Sequence, residues 1–490
     1  MSILNYVPAG YILRDVQRTT LLEVERNWNN VDVFCLDLSV AAGKSLVAAT
    51  ISEWRKAYGD PSNIIVPHII HQNVYEESFD YPSLKGQDRY KCNDKDYLRC
   101  KDRFYSLGYK CKSCAYNKTL RQAISSPIAV CNYHSYMNQA YVGSIIKPVL
   151  IADEAHNLVR FLNEKYTTTL WDFPDKLHTK DHIIHWFERE IKRLYGILQD
   201  KNCTPITRKK YYNTYSKYRN ILEGMTENKE EFLAERRELT YYGNKRTGMY
   251  ITPLSVCRLN VVMWGKQVEK IVLMSASLNE KIDLNRLGLG NRRAMWISGK
   301  SPIPVENRPL INEWVGKMTR KRADENFPKL VAKIKELSAR HQGKGFVHAT
   351  YDLANKLREH LDNPRFVFHN KDDKEERLHE YMNSANKVFI GSGLSEGLSL
   401  NGHDFEWQAI TKVQYPSLVD PINKHNINNN QDLYNWETAL NLIQMYGRIC
   451  RAPTDKGITY MLDRSFQVFY IKNRDMFPDY FQQAIEEGKK

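Results

Sequence analysis

The sequence predicts an α/β chain built on two parallel-sheet lobes, the first interrupted by a four-cysteine segment and then by a helical segment. Three observations predict it. Short strand-like runs alternate with amphipathic helical stretches, the pattern of parallel sheets joined by crossover helices. One run, Val149-Leu150-Ile151-Ala152, ends abruptly in Asp153 and Glu154, as a buried strand does when it delivers acids to the carboxyl edge of an open sheet. Another, Val33 to Leu38, leads through a small-residue loop into Gly43-Lys44-Ser45 and a helical pattern.

At 490 residues the chain has room for roughly three ordinary domains. No uninterrupted apolar stretch is long enough to span a membrane, and Met1 to Arg14 lacks a basic region followed by an apolar core. A membrane-spanning or secreted protein is therefore not expected; a cytoplasmic one is. The net charge of +14 favours a polyanionic partner without identifying it. Nine cysteines without an export signal point to reduced thiols or metal ligands rather than disulfides.

Taken in order, Arg14 and Gln17 precede an amphipathic segment (Leu21, Leu22, Val24, Trp28), expected as a helix ahead of the first strand. A glutamine just before a nucleotide loop can read an adenine edge; an exposed helix residue is the alternative. In the loop after Leu38, backbone N–H groups and the helix N-terminus would cradle phosphate, Lys44 would add charge, and the Ser45 hydroxyl would ligate Mg²⁺. Leu38 stands where the first glycine of such a loop usually falls. Asp153 can hold Mg²⁺, and Glu154 can orient or deprotonate an attacking water.

Residues 85–121 are basic and tyrosine-rich and hold Cys92, Cys100, Cys111 and Cys114. Four thiolates suit tetrahedral Zn²⁺ or an iron–sulfur cluster, and a bound metal would supply folding energy to a small polar insert. The basic and aromatic side chains suit phosphate contact and base stacking; a solvated charged loop is the competing reading. Pro127 to Asn132 is expected as a buried strand. Residues 160–245 carry apolar residues at three- and four-residue spacing and no β-branched runs, which predicts a mostly helical insertion. Its tyrosine stripe (Tyr211, Tyr215, Tyr218) is read as helix–helix core.

Strand character resumes at Lys270 to Met274, ending in Ser275-Ala276-Ser277, and the Gly-, Asn- and Pro-rich loop 284–312 is the candidate boundary between lobes. Strand-like runs at 345–348, 365–368, 387–391, 407–413 and 457–462 predict the second sheet. The Gly-rich stretch from Gly391 to Gly402, with Glu396 inside it, can contact phosphates through its backbone. Gln444 to Arg451 ends an amphipathic helix, and Arg448 and Arg451, three apart, are expected on one helix face, where they could reach a γ-phosphate.

In this order the stretches resemble the superfamily 2 helicases of the XPD/DinG type. Asp153-Glu154-Ala155-His156 matches their DEAH box, Ala42 to Ser45 motif I, Ser275-Ala276-Ser277 the Ser-Ala-Thr motif, and Glu396-Gly397-Leu398-Ser399 the Glu-Gly-x-Asp loop. Gln444 to Arg451 matches Gln-x-x-Gly-Arg-x-x-Arg, and the Arg14…Gln17 pair resembles the Q-motif region. The resemblance implies two RecA-like motor domains, interrupted by an iron–sulfur domain and a helical arch. Motor domain 1 would comprise 1–84, 122–159 and 246–290, the cysteine domain 85–121, the arch 160–245, and motor domain 2 291–490. It implies ATP and Mg²⁺ bound by Gly43, Lys44, Ser45, Asp153, Gln17, Arg14 and Glu396, with Glu154, Gln444, Arg448 and Arg451 acting in hydrolysis. It moves the four cysteines from Zn²⁺ to a [4Fe–4S] cluster. The implied activity is that of a monomeric ATP-dependent helicase moving 5′→3′ on single-stranded DNA and opening forked duplexes. An ATPase unwinding RNA or RNA–DNA hybrids, and a nucleic-acid-binding scaffold with a decayed ATPase, are the rival readings.

Overall fold

A computed structural model describes residues 1–489 apart from 93–113, 141–142, 172, 175–176, 201, 242–243, 257–262, 266, 371–372 and 393–404. The chain divides into two compact units, residues 1–37 with 44–298 and residues 38–43 with 299–490. Among the described residues no helix is long and apolar enough to cross a membrane.

The strands of the first part of the chain are β1 (Val33–Leu38), β2 (Ser62–Val66), β3 (Ser83–Leu84), β4 (Ile128–Asn132), β5 (Val149–Asp153), β6 (Thr168–Leu170), β7 (Phe232–Tyr241), β8 (Asn244–Pro253), β9 (Lys270–Ser275) and β10 (Ala294–Gly299). Seven of them form one sheet in the order β10-β1-β9-β5-β2-β4-β3. The pairings from β1 across to β3 are parallel. Every residue of β1, β2, β4 and β5 is buried, the consequence of covering both faces of a parallel sheet, and this is why these strands read as unbroken apolar runs. Strand β9 lies between β1 and β5, pairing Asp37 with Ser275 on one side and Asp153 with Met274 on the other. The carboxyl ends of three neighbouring strands therefore bring the Lys44 helix, Ser275 and the acid pair to one edge.

The insertion holds two long helices and closes in a strand hairpin that the sequence pattern does not announce. Helices Lys180–Gln199 and Pro205–Asn228 pack through Tyr218, whose ring lies 5.6 Å from Trp186 and 5.1 Å from Phe187, so part of the tyrosine stripe is core as read from the sequence. The chain then forms an antiparallel hairpin, β7 with β8 in register from Phe232↔Pro253 to Tyr241↔Asn244, and β6 completes a sheet in the order β6-β8-β7. Its strands carry Glu235, Arg236, Arg237 and Glu238 in place of β-branched residues, which hid them as a polar helix surface. The loop 284–312 is likewise not unstructured throughout: β10 adds to the first sheet, and a further strand begins at Leu310.

The second unit holds β11 (Leu310–Gly316), β12 (Lys344–His348), β13 (Phe366–Phe368), β14 (Val388–Gly391), β15 (Phe405–Ile410) and β16 (Ile458–Asp463), all parallel, in the order β11-β16-β15-β12-β14-β13. Alternate residues face opposite cores. Val347, Val388, Ile390 and Trp407 pack with Leu330, Ile334 and Leu337 on one side; Phe346 and Phe389 pack with Tyr381 on the other. Gly345 is required by this packing, because a Cβ there would stand 2.4 Å from the Trp407 ring.

Candidate active site

The loop between β1 and helix Lys44–Ala57 is tight, with Ala41 at φ 68° and Gly43 at φ 76°. Glycine meets that geometry freely, whereas an alanine there carries a cost of roughly 1 kcal/mol. Leu38, at the position where such loops usually have glycine, is the fully buried last residue of β1 and belongs to the core. Lys44 opens the helix, and its Nζ stands 3.5 Å from Glu154 Oε1.

Glu154 follows the end of β5 in a left-handed conformation (φ 51°, ψ 47°), an uncommon setting for a side chain and one that turns its carboxylate away from the strand direction. Tyr133, first residue of helix Tyr133–Ala140, holds the turn by donating its hydroxyl to the carbonyls of Asp153 (2.7 Å) and Glu154 (3.0 Å). Glu154 Oε2 lies 3.4 Å from His156 Nδ1, which is 2.7 Å from Ser275 Oγ at the end of β9. Ser275 Oγ also accepts the Ser277 amide at 3.2 Å, and Asn157 Nδ2 meets the other ring nitrogen of His156 at 3.0 Å. Glu154 is thus linked to Lys44 on one side and, through His156, to the Ser275 turn on the other.

Asp153 is buried. Its Oδ1 accepts the Glu154 amide at 3.0 Å and its Oδ2 accepts the Tyr75 hydroxyl at 2.8 Å. The two acids are pushed apart. Burial and the Glu154 charge raise the Asp153 carboxyl above its ordinary range. Burial acts the same way on Glu154, but Lys44, with His156 and His71, outweighs it and holds that carboxyl below its ordinary range. Ser45 and Asp153 are oxygen donors suited to a hard cation, and a cation would relieve the burial and repulsion that raise Asp153, so the residues fit Mg²⁺.

The other expected residues are placed as follows. Gln17 is buried and accepts the Arg14 amide at 2.8 Å, capping helix Asp15–Asn27; Arg14 is its exposed N-cap. Cys92 and Cys114 are buried, and Cys114 Sγ accepts the Asn117 amide at the start of helix Ala115–Ser125. Cys100 and Cys111 lie outside the described residues, as does Glu396 with its loop. Among the described residues no group of three or more His, Cys, Asp or Glu side chains is placed to hold a metal.

In the second unit, helix Gln431–Tyr446 ends on Gly447, so only Gln444 is helical. Arg448 and Arg451 sit in the turn and loop beyond it rather than on one helix face, a correction to the expectation: the helix closes at Gly447, before the first arginine, and the chain turns there. Arg448 is buried near His348 and Lys374, and its charge adds to the lowering of both. Asp455 shapes the loop by accepting the amides of Arg451 and Ala452, each at 2.7 Å. Tyr75, Tyr133 and His71 escaped the sequence reading. Tyrosines are common in this chain, and nothing local marks these two; only the strand end at Asn132 hinted that Tyr133 sits at the sheet edge.

The strand that leads to Lys44 and the strand that ends in the acid pair belong to one parallel sheet of an α/β fold, separated only by β9. Known proteins bear similarities to both units. Residues 334–484 match the family model of the helicase C-terminal domain. The chain is 26% identical over 141 residues to the ATP-dependent DNA helicase XPD of Sulfolobus acidocaldarius, a match covering 26% of this chain and about a quarter (25%) of that protein's length. It superposes on a solved XPD helicase with a TM-score of 0.63 at 15% identity, covering 95% of this chain and 98% of that one. Xpd4 of S. tokodaii superposes at a TM-score of 0.57 and 14% identity, covering 96% and 99%. The fold is that of the XPD structures, with two RecA-like sheets.

Proposed function

We propose that this chain is an ATP-dependent helicase that moves 5′→3′ on single-stranded DNA and opens duplexes. The observation that carries the reading is the linked set at the carboxyl edge of the first sheet, in which Lys44, Glu154, His156 and Ser275 form one chain of contacts and Tyr75 grips Asp153 beside it. The helicase C-terminal match and the XPD-type fold support it.

In this reading the loop amides and Lys44 bind the triphosphate, and Ser45 and Asp153 hold Mg²⁺, which when bound neutralises charge on the transferring phosphate. Glu154 accepts the proton of the attacking water. Without nucleotide it is a poor base, because Lys44 and the histidines keep it strongly ionised. A phosphate that draws Lys44 away removes the larger of these and raises the basicity of Glu154 only when substrate is present. His156, joined to Ser275, relays hydrolysis to the strand-binding surface. Arg448 and Arg451 supply positive charge to the γ-phosphate in the transition state, with Gln444 beside them, and Gln17, Arg14 and Glu396 complete the nucleotide site. Cys92, Cys100, Cys111 and Cys114 hold a [4Fe–4S] cluster; protein purified without oxygen is then brown, absorbing near ~400 nm, whereas a colourless, zinc-loaded protein decides for Zn²⁺.

The test is strand displacement on 5′- and 3′-tailed duplexes of DNA and of RNA, with wild type and Lys44→Ala. Displacement from the 5′-tailed DNA by wild type alone supports the proposal. Equal displacement by Lys44→Ala, or action on RNA only, rejects it.

A further inference from the structure

We infer that Tyr75 is a positioning residue of the metal–nucleotide site, a phenol that grips Asp153 and fixes how that carboxylate presents its oxygens to the cation. The inference rests on the nucleotide-site reading above and adds a residue that no motif marks.

Tyr75 lies on helix Ile69–Phe79, which follows β2, and is completely buried. A phenol has one proton to donate and lone pairs to accept with. That proton goes to Asp153 Oδ2 at 2.8 Å. Asp153, gripped at Oδ2 by Tyr75 and at Oδ1 by the Glu154 amide, has no freedom to rotate, and the lone pairs left on its oxygens have a fixed direction. The ring is itself held, 6.0 Å from Phe79 on the same helix, so the hydroxyl is not free to swing away. This is how an outer partner orients a first ligand, and loss of such partners typically costs about 10- to 100-fold in metal affinity.

Tyr75→Phe deletes the hydroxyl and keeps the ring. Binding of a fluorescent ATP analogue is followed by anisotropy while Mg²⁺ is titrated, with a parallel titration of analogue in EDTA. The expected result is a Mg²⁺ midpoint raised about tenfold, unchanged metal-free binding, and a smaller shift with Mn²⁺, which binds such ligands more tightly. A Mg²⁺ midpoint within twofold of wild type overturns the inference. Wild type that binds no nucleotide in a Mg²⁺-dependent way overturns the nucleotide-site reading itself, and this arm separates the two failures. A second measurement leaves the fold untouched: 3-fluorotyrosine is placed at position 75 and its fluorine resonance recorded. It should shift when Mg²⁺ is added to the nucleotide-bound protein and stay still when nucleotide binds in EDTA. No shift with Mg²⁺ also overturns the inference.

Discussion

Asp153 closes β5 in the first unit and Asp463 closes β16 in the second, each buried at the carboxyl end of a parallel strand. Their surroundings differ completely. Asp463 is filled by backbone: Oδ1 accepts the amides of Met318 and Ser465, both at 2.9 Å, and Oδ2 accepts that of Val413 at 3.0 Å. Asp153 accepts one amide and one phenol and has Glu154 and Lys44 as charged neighbours. One carboxylate staples three loops; the other is kept under electrostatic tension that a cation would relieve. Position at a sheet edge does not by itself make an acid chemical, and the partners decide which role it takes.

The sharpest way to break this comparison is to neutralise each acid. Asp153→Asn should cut nucleic-acid-stimulated ATP hydrolysis by at least about 100-fold, measured as phosphate release. It should leave the melting temperature unchanged or higher. The sign follows from the raised Asp153 value: the folded form holds its proton above the unfolded 3.8, so ionisation costs stability as pH rises through the folded value, and the amide removes that cost. Asp463→Ala should do the reverse. It strands three amides and should destabilise the second unit by about 3 kcal/mol, read as faster hydrogen exchange along β16, while nucleotide binding at Lys44 persists.

A smaller effect separates the units by pH. His348 in the second unit is buried and 3.1 Å from Gln408; burial, with help from Arg448 and against the Gln408 bond, pushes the imidazole down to about 3. The folded value lies below the ordinary 6.5, so the unfolded chain takes the proton first. This contribution is fully present above 6.5 and is lost as pH falls from there towards 3. Urea midpoints for exchange in β12 should fall over that window, and His348→Gln should flatten the trend. The smallest effect concerns the loop. Ala41→Gly should stabilise by roughly 0.5–1 kcal/mol, because glycine adopts φ 68° without strain; an unchanged or lowered melting temperature would show that the alanine is tolerated for another reason.

Much of this was legible from residues alone, for identifiable reasons. Buried parallel strands write themselves as apolar runs, so β1, β4, β5 and β9 fall where the sequence predicts, and with them Lys44 and the acid pair. The β7–β8 hairpin is hidden in the sequence because charged residues run along its strands and the Gly-Asn pair at 243–244 is its one local signal. Tyr75 and Tyr133 were out of reach in principle: their partners at 153 and 154 lie 78 and about 20 residues away, and only the packing of strands β2, β4 and β5 brings them together.

The central claim is that Glu154 and Lys44 belong to one hydrolytic site, and single-turnover ATP hydrolysis by Glu154→Gln tests it most directly. The glutamine keeps the shape and loses the base. Wild-type affinity for Mg²⁺–ATP with turnover lowered by about 100-fold or more is the predicted result. Turnover equal to wild type, at the same nucleotide occupancy, would contradict the account.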